Sequence, residues 1–191
     1  MIDHVDHIDL SSVLRRAVCD LYSNLVTRPT GAAVREQIER LLAEARGRTL
    51  AVLDFTHVTL LDFSCADEVV AKLLLSYATG AAESDAYFVF RGMTEAHLDA
   101  IEAALARYGL ALVMQLDTGA VAILGDVTEA ERRVWEALNA LGRGNAESLA
   151  ELVAMAPADV AAVLDGLADR RLVVRLGEEY LAVGVAVGHA A

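Results

Sequence analysis

The stretch Leu50–Leu75, LAVLDFTHVTLLDFSCADEVVAKLLL, predicts a strand, a connection and a helix in succession. Its first part, Leu50–Phe55, is a short apolar run with the length and the branched residues of a buried strand. The next part, Thr56–Leu61, is predicted to be a tight connection. We expect the apolar side chains of this connection to point into the core: Val58, Leu60 and Leu61.

From Ser64 onward, apolar residues recur at the spacing of one helix face. They are Ala66, Val69, Val70, Leu73, Leu74 and Tyr77. Ser64 is predicted to be the N-cap, because a serine hydroxyl can accept a free N–H of the first turn. Asp67 and Glu68 then follow in the first turn, where carboxylates suit the helix dipole, and Asp67 occupies the acidic position of a capping box. This unit defines a fold and places a polar cluster at a helix start.

Composition and charge limit the classes of function. The chain has 191 residues, of which 55% are hydrophobic, so it can bury a core as one large domain or two small ones. Its net charge of −12 argues against broad binding to nucleic acid or to an anionic membrane. No apolar run is long enough for a membrane span, and the N-terminus lacks a signal-peptide layout. Two cysteines, Cys19 and Cys65, fit free thiols in a reducing compartment, and we expect a cytoplasmic protein.

The N-terminal residues carry a group of potential metal ligands: Asp3, His4, Asp6, His7 and Asp9. We favour a solvated terminal segment over a metal site, because termini are commonly mobile. A helix is predicted from Leu10 through Leu25, ending before Pro29. Thr30 is predicted to cap a second helix, residues 31–45.

The rest of the N-terminal part alternates strands and helices. Ala86–Arg91 is predicted to be a strand and Thr94–Tyr108 a capped helix. Leu110–Leu116 and Ala120–Leu124 are predicted to form a hairpin across a turn that contains Gly119. This alternation indicates an α/β domain over residues 1–125, with a small, partly parallel sheet.

The pattern changes after Gly125 to three helices and a hairpin, which indicates a second domain over residues 126–191. Thr128 and Glu131 form a capping box for the first helix, and Pro157 opens the third. Two apolar runs, 172–176 and 180–183, flank a turn at Gly177 and predict the hairpin. The last residues, 184–191, are predicted to form a loose apolar tail.

The N-terminal part resembles the STAS-like family, the relatives of anti-sigma-factor antagonists. The matching residues are Thr27, Arg28 and Gly31, followed by LDFTHVTLLDFSCADE at Leu53–Glu68. The resemblance implies a non-enzymatic domain that binds protein partners, sometimes under control of a phosphorylated serine at this helix start. The Ala66-Asp67-Glu68 sequence is closer to a STAS-like branch than to the antagonists themselves.

Phe63 occupies the position of the family's phosphorylated serine, so the chain departs from that pattern. Ser64 matches the next residue, and Cys65 replaces a usual glycine. We therefore interpret Ser64 as a structural cap rather than a regulatory serine. The residues of this helix start are predicted to form a regulatory or partner-binding surface: Asp62, Ser64, Cys65, Asp67 and Glu68.

Residues 128–183 resemble a MarR-like winged helix, in which the third helix would be the recognition helix. The residues that carry the resemblance are TEAERRVWEAL, SLAELVAMAPADVAAVLDGLADRRLV and the hairpin that follows. The exposed early positions of that helix include Ala158 and Asp159, whereas base reading uses Arg, Lys, Asn, Gln or Ser. Three arginines could contact a DNA backbone: Arg170, Arg171 and Arg175. We favour a winged helix that contacts protein, because three arginines provide little positive charge for DNA binding on an acidic chain.

The sequence contains no motif typical of catalysis or cofactor binding. The chain has no phosphate-binding glycine loop, no dinucleotide fingerprint and no Cys/His set with zinc spacing. Cys65 at a helix start could have a lowered pKa, but we favour a buried thiol that acts as a small hydrophobe. We therefore expect no catalytic residues, no cofactor and no metal.

Two functional hypotheses follow. The first is a regulatory or scaffold protein that binds a kinase-like or regulatory partner and that could form a homodimer. The alternative is a transcriptional regulator, with the winged helix as DNA reader and the STAS-like domain as sensor. A weaker third hypothesis is a thiol or metal enzyme that uses Cys65 or the N-terminal Asp/His group.

Overall fold

A five-stranded mixed sheet lies between two helical layers in the computed structural model, which describes residues 1–17, 24–82 and 84–184. The N-terminal elements are β1 (His4–Asp9), α1 (Leu10–Ala17), β2 (Asn24–Leu25), α2 (Arg28–Glu44), β3 (Thr49–Asp54), β4 (Leu60–Leu61), α3 (Phe63–Ala66), a π-helical segment (Asp67–Lys72), α4 (Leu73–Ala78), β5 (Ala86–Arg91), α5 (Glu95–Tyr108), β6 (Ala111–Gln115) and β7 (Val121–Gly125). The C-terminal elements are α6 (Glu129–Leu141), β8 (Arg143–Gly144), α7 (Ala146–Val153), α8 (Pro157–Asp169), β9 (Val173–Leu176) and β10 (Glu179–Ala182). No helix in these described ranges combines the length and apolar character that crossing a bilayer requires.

The strand order of the main sheet is β1-β3-β5-β6-β7. The first three pairings are parallel, and β6 and β7 form an antiparallel hairpin. The predicted α/β class, the partly parallel sheet and the hairpin are thereby confirmed. A separate parallel pair joins β2 to β4, with Leu25 opposite Leu61.

The two faces of the sheet belong to different hydrophobic clusters. Side chains that alternate along the strands, such as Leu53 and Phe90, pack with α2, α5 and the helical run 63–78. Their neighbours, such as Val52 and Val89, pack with α6, α8 and β9. The C-terminal part supplies the second covering layer of the sheet, and the division into two domains at residue 125 stays a prediction.

Between residues 126 and 182, the C-terminal part contains three helices and a small antiparallel sheet of order β8-β10-β9. Thr128 and Glu131 form the predicted capping box, and Pro157 lies at the start of α8 as predicted. The β9–β10 turn contains two residues, Gly177 and Glu178. Three helices and a hairpin are thus present, and their assignment to the winged-helix family stays a prediction.

Two N-terminal predictions are wrong. Residues 4–9 are an edge strand paired in register with β3, from His4 opposite Thr49 to Asp9 opposite Asp54, rather than a solvated segment. The first helix is described from Leu10 to Ala17, and Leu25, which was predicted to be helical, belongs to β2. The predicted helical residues Val18, Leu21 and Tyr22 lie outside the described residues.

The start of α2 also differs from the prediction. The helix begins at Arg28, so Thr30 is not its cap. Pro29 lies in the first turn, where a backbone N–H has no partner within the helix and its absence in proline costs nothing. The prediction for the connection after β3 was partly right, since Val58 and Leu61 are buried but Leu60 is exposed. The predicted tail beyond Gly184 lies outside the described residues.

Candidate functional site

Asp62 is the residue that caps the helical run 63–78. Its Oδ1 atom accepts hydrogen bonds from the Cys65 backbone N–H (2.7 Å) and from the Ser64 hydroxyl (2.8 Å), and its Oδ2 atom accepts one from the Thr27 N–H (3.1 Å). Burial alone would raise the pKa of Asp62, but these hydrogen bonds stabilise the carboxylate and the pKa lies below its ordinary value. The prediction that Ser64 is the N-cap is therefore wrong, because Ser64 lies inside the first turn and donates to the cap.

Thr27 has an unusual backbone conformation beside this cap. Its φ of 77° and ψ of 138° lie where non-glycine residues are rarely found, which costs on the order of 1–3 kcal/mol. Two groups hold its carbonyl oxygen, since the Gly31 N–H and the Cys65 thiol both donate to it, at 3.2 and 2.9 Å. Thr27 thus ties the start of α2 to the start of the second helical run.

Gly31 allows these two helix starts to approach closely. A Cβ atom at this position would lie 3.0 Å from the Cys65 Cα and 3.0 Å from the Glu68 Cβ. An added methyl group would be tighter than nearly all real side-chain contacts, so its neighbours would have to shift by a few tenths of an ångström. The glycine of the Thr27, Arg28 and Gly31 pattern thus suits the close contact between the two helix starts.

Cys65 is buried and free. Burial, together with the nearby Asp62 carboxylate that disfavours the thiolate, raises the pKa of its thiol to about 12. The idea of a lowered thiol pKa is thus wrong, and the interpretation as a buried small hydrophobe agrees with the structure.

Asp67 and Glu68 are buried carboxylates held by four cations. Arg28 Nη1 lies 2.5 Å from Asp67 Oδ2 and 2.8 Å from Glu68 Oε1. Lys72 Nζ is hydrogen-bonded to Glu68 and lies 3.9 Å from Asp67. Two weaker ion pairs, each 3.5 Å long, join Arg35 to Glu68 and Arg107 to Asp67. We call these six residues the carboxylate cluster: Arg28, Arg35, Asp67, Glu68, Lys72 and Arg107.

The cations keep both carboxylates ionised. Burial would raise the pKa of Asp67, but hydrogen bonds from Arg28 and Tyr108 and the charges of Arg28 and Arg107 lower the pKa below its ordinary value. Burial acts on Glu68 in the same direction, and there hydrogen bonds from Lys72 and Arg28 bring the pKa below its ordinary value. Asp67 therefore acts as an ion-pair partner, and its predicted capping-box role is wrong.

The π-helical segment explains how Lys72 reaches both acids. In an α-helix, residues four apart share a face, whereas residues five apart do not. The segment Asp67–Lys72 has π-helical geometry, with i→i+5 periodicity, so Lys72 lies near Glu68 (i−4) and Asp67 (i−5) together. Such segments are rare and occur frequently at functional sites.

The three arginines considered for DNA contact are all engaged within the chain. Arg170 Nη1 lies 2.9 Å from Glu131 Oε1, and Arg175 Nη1 lies 3.0 Å from Asp165 Oδ1. Arg171 pairs with Asp85, and its guanidinium lies 5.1 Å from the Tyr87 ring centre. Their positive charge is therefore offset by neighbouring carboxylates.

The N-terminal Asp/His residues do not converge on a common centre. They lie along β1 and the residues before it, and within the described ranges no group of three or more His, Cys, Asp or Glu side chains is placed to hold a metal ion. Asp9 instead accepts hydrogen bonds from Ser11 and Ser12 at the start of α1.

Sequence reasoning found the acidic members of the site and missed the cations. Asp62, Ser64, Cys65, Asp67 and Glu68 do lie together at the helix start. The i,i+4 spacing of Glu68 and Lys72, the only lysine of the chain, was a signal that could have been used. Nothing local in the sequence indicates that Arg107 of α5 approaches Asp67.

Comparison of the chain with protein-family models and with curated protein sequences gives no match. The STAS-like and winged-helix resemblances therefore stay predictions. The candidate site is defined by its own geometry: an Asp62 cap, a glycine-dependent helix contact and two buried carboxylates beneath a set of cations.

Proposed function

We propose that this chain is a non-enzymatic regulatory or scaffold protein, and that it binds a partner protein through the surface around the start of the helical run 63–78. The observation that carries the proposal is a contrast within this surface. The groups that could do chemistry are committed to structure: Cys65 is buried, Ser64 donates to the Asp62 cap and Asp67 is ion-paired. Two large apolar side chains beside them are exposed, Leu60 by 54% and Phe63 by 41%.

Exposed apolar side chains next to satisfied polar groups are typical of a protein-binding surface. The STAS-like resemblance suggests a kinase-like or regulatory protein as the partner, and a second copy of the chain is also included in the proposal. The free thiol of Cys65 supports a cytoplasmic location.

Affinity capture with the immobilised full-length chain tests the proposal. The double variant Leu60→Ser/Phe63→Ser should lose a partner that the parent chain retains from native lysate. Leu152→Ser, which removes an exposed leucine on α7, is the matched control and should retain the partner. Thermal unfolding by circular dichroism checks that all variants are folded. Loss of the partner with the Leu152 variant as well, or the absence of any retained protein, would contradict the proposal.

The DNA-binding alternative is tested with the same protein. The ion pairs of Arg170, Arg171 and Arg175 and the exposed Asp159 on α8 support protein contact over DNA contact. We expect no salt-sensitive binding to genomic DNA fragments at low ionic strength. Binding that is lost in the Arg170→Ala/Arg171→Ala variant would favour the alternative.

A further inference from the structure

The carboxylate cluster separates its charges by depth. The side chains of Asp67 and Glu68 are 0% and 4% exposed, whereas those of Arg28, Lys72 and Arg107 are 45%, 36% and 53% exposed. An approaching group therefore meets cations first, with the anions beneath them.

Most of the described ion pairs elsewhere lack this separation, and none approaches it in degree. In the Arg143–Glu179 and Arg175–Asp165 pairs, acid and base are exposed to similar extents. Those surfaces present both signs of charge, so a ligand gains little from either. The cluster is thus a positive spot on a chain whose net charge is −12.

The exposed cations retain hydrogen-bond donors. Both hydrogen bonds of Arg28 leave from Nη1, and its Nε and Nη2 atoms have no partner among the described residues. A guanidinium carries five N–H donors in a fork that matches two oxygen atoms of an oxyanion. Most of the donor capacity of Arg28 is therefore directed elsewhere than at the buried acids.

Arg107 is held even more loosely. Its Nη1 atom lies 3.5 Å from Asp67 Oδ1, its guanidinium lies 5.4 Å from the Tyr108 ring centre, and among the described residues Arg107 donates no hydrogen bond. Charge therefore keeps the Arg107 guanidinium near Asp67 without a directed bond. Its donors are available to another acceptor.

The overall charge restricts what that acceptor can be. An extended polyanion such as nucleic acid would be repelled by the rest of the chain, whereas a single oxyanion group contacts only the cluster. Phe63 precedes Asp67 by four residues, one turn earlier along the same helical run, so an apolar contact site adjoins the cations.

We infer that the outward face of Arg28, Lys72 and Arg107 binds an oxyanion group, a carboxylate or a phosphoryl group, on a peptide segment of the partner protein that also covers Phe63, one helical turn before Asp67. The inference rests on the proposed function and specifies the chemistry of the partner.

The single lysine allows a site-specific test. Reductive methylation with ¹³C-formaldehyde labels Lys72 and the N-terminal amine of the full-length chain, and methylated lysine keeps its charge. Four probes are titrated by NMR: a peptide with Phe among Glu residues, the same peptide with phosphoserine in place of Glu, a Gln version and inorganic phosphate. We expect a saturable shift of the Lys72 methyl signal with the Glu or the phosphoserine peptide, and none with the Gln peptide. The stronger of the two binders identifies the oxyanion.

Two variants make the test specific. Arg107→Gln should weaken binding of the favoured peptide by about tenfold, the equivalent of one charge-assisted hydrogen bond. Arg40→Gln removes an exposed arginine of α2 that lies outside the cluster, and it should leave binding unchanged. Equal weakening by both variants, or no saturable shift at millimolar peptide, would overturn the inference. If Leu60→Ser/Phe63→Ser abolishes partner capture while Arg107→Gln does not, the proposed function stands and the oxyanion site fails.

Discussion

The two layers that cover the central sheet use different chemistry. The layer of α2, α5 and the helical run 63–78 buries two carboxylates among its apolar side chains. The C-terminal layer packs aliphatic side chains around Trp135, whose Nε1–H donates to the Leu172 carbonyl at 3.2 Å. Covering a sheet with apolar side chains requires no charge partners, whereas a buried carboxylate needs them to offset its desolvation free energy.

The difference supports the proposal that the layer of α2, α5 and the helical run 63–78 carries the function. Both layers could have been built from apolar contacts alone, yet the first retains Asp67 and Glu68 at the cost of desolvation. It also contains the rare π-helical segment and the strained Thr27. These features lie at one helix start, and each of the following predictions tests the contrast between that start and the C-terminal layer.

Trp135→Ala should have the largest effect, a loss of about 3–5 kcal/mol in the free energy of unfolding. The reason is that Trp135 is almost fully buried in the cluster shared by the C-terminal layer and the sheet. Urea denaturation followed by far-UV circular dichroism measures the loss. Trp135→Phe, which keeps most of the apolar contact and removes the bond to Leu172, should cost less. Because the core is shared, we expect one cooperative transition, and two separate transitions would contradict this description of the core.

Gly31→Ala and Gly166→Ala should have effects of opposite sign. At Gly31 the new methyl group collides with Cys65 and Glu68, and we expect a loss of about 1–3 kcal/mol in the free energy of unfolding. At Gly166, within α8, no atom lies within 4 Å of the added Cβ, so the higher helix propensity of alanine should add about 0.5–1 kcal/mol. The urea midpoints of the two variants test this, and a stable Gly31→Ala protein would show that the helix contact is looser than described.

The two sides of an ion pair in the carboxylate cluster should not be equivalent. Arg28→Ala leaves buried carboxylates with fewer cations, whereas Asp67→Asn leaves exposed cations that water can solvate. We expect Asp67→Asn to stay within about 1 kcal/mol of the parent chain in unfolding free energy, and Arg28→Ala to be the more destabilising change. Urea denaturation of the two single variants measures the asymmetry, and the double variant completes a cycle that gives the coupling between the two residues. Equal losses in the two single variants would contradict the depth separation of charge.

Acidification should weaken the cluster by a smaller, graded amount. Asp67 and Glu68 both have a pKa below the ordinary value in the folded chain. Their contribution to stability is therefore complete above the ordinary carboxylate pKa and is lost as the pH falls through the lower folded pKa. The parent chain should lose more unfolding free energy between pH 7 and about pH 3 than the Asp67→Asn/Glu68→Gln variant. Asp159→Asn/Glu178→Gln, which alters two exposed carboxylates, is the control and should follow the parent.

Local sequence signals predicted the elements whose causes are local. The Thr128–Glu131 capping box, the Pro157 helix start and the β6–β7 hairpin each depend on residues that are neighbours in the chain. The edge strand β1 was missed because only Val5 and Ile8 give it an apolar pattern. Its strand conformation depends on pairing with β3, more than forty residues later.

The candidate site also contains contacts that depend on neighbouring residues and contacts that depend on distant ones. Asp62, Ser64 and Cys65 are consecutive or nearly so, and their contacts follow from the helix start itself. Asp62 rather than Ser64 became the cap because the backbone turns helical two residues earlier than the predicted cap requires. The cation set joins α2, the π-helical segment and α5, which meet only after the sheet has formed.

The sequence by itself determined the α/β class, the element order of most of the chain and the polar character of the central helix start, because periodicity, caps and turns act over a few residues. Tertiary structure alone decided that the C-terminal helices cover the sheet and that Arg107 lies beside Asp67. It also decided that the helix becomes π-helical where two acids meet one lysine. These outcomes depend on burial and charge pairing between distant segments, and local sequence patterns do not predict those interactions.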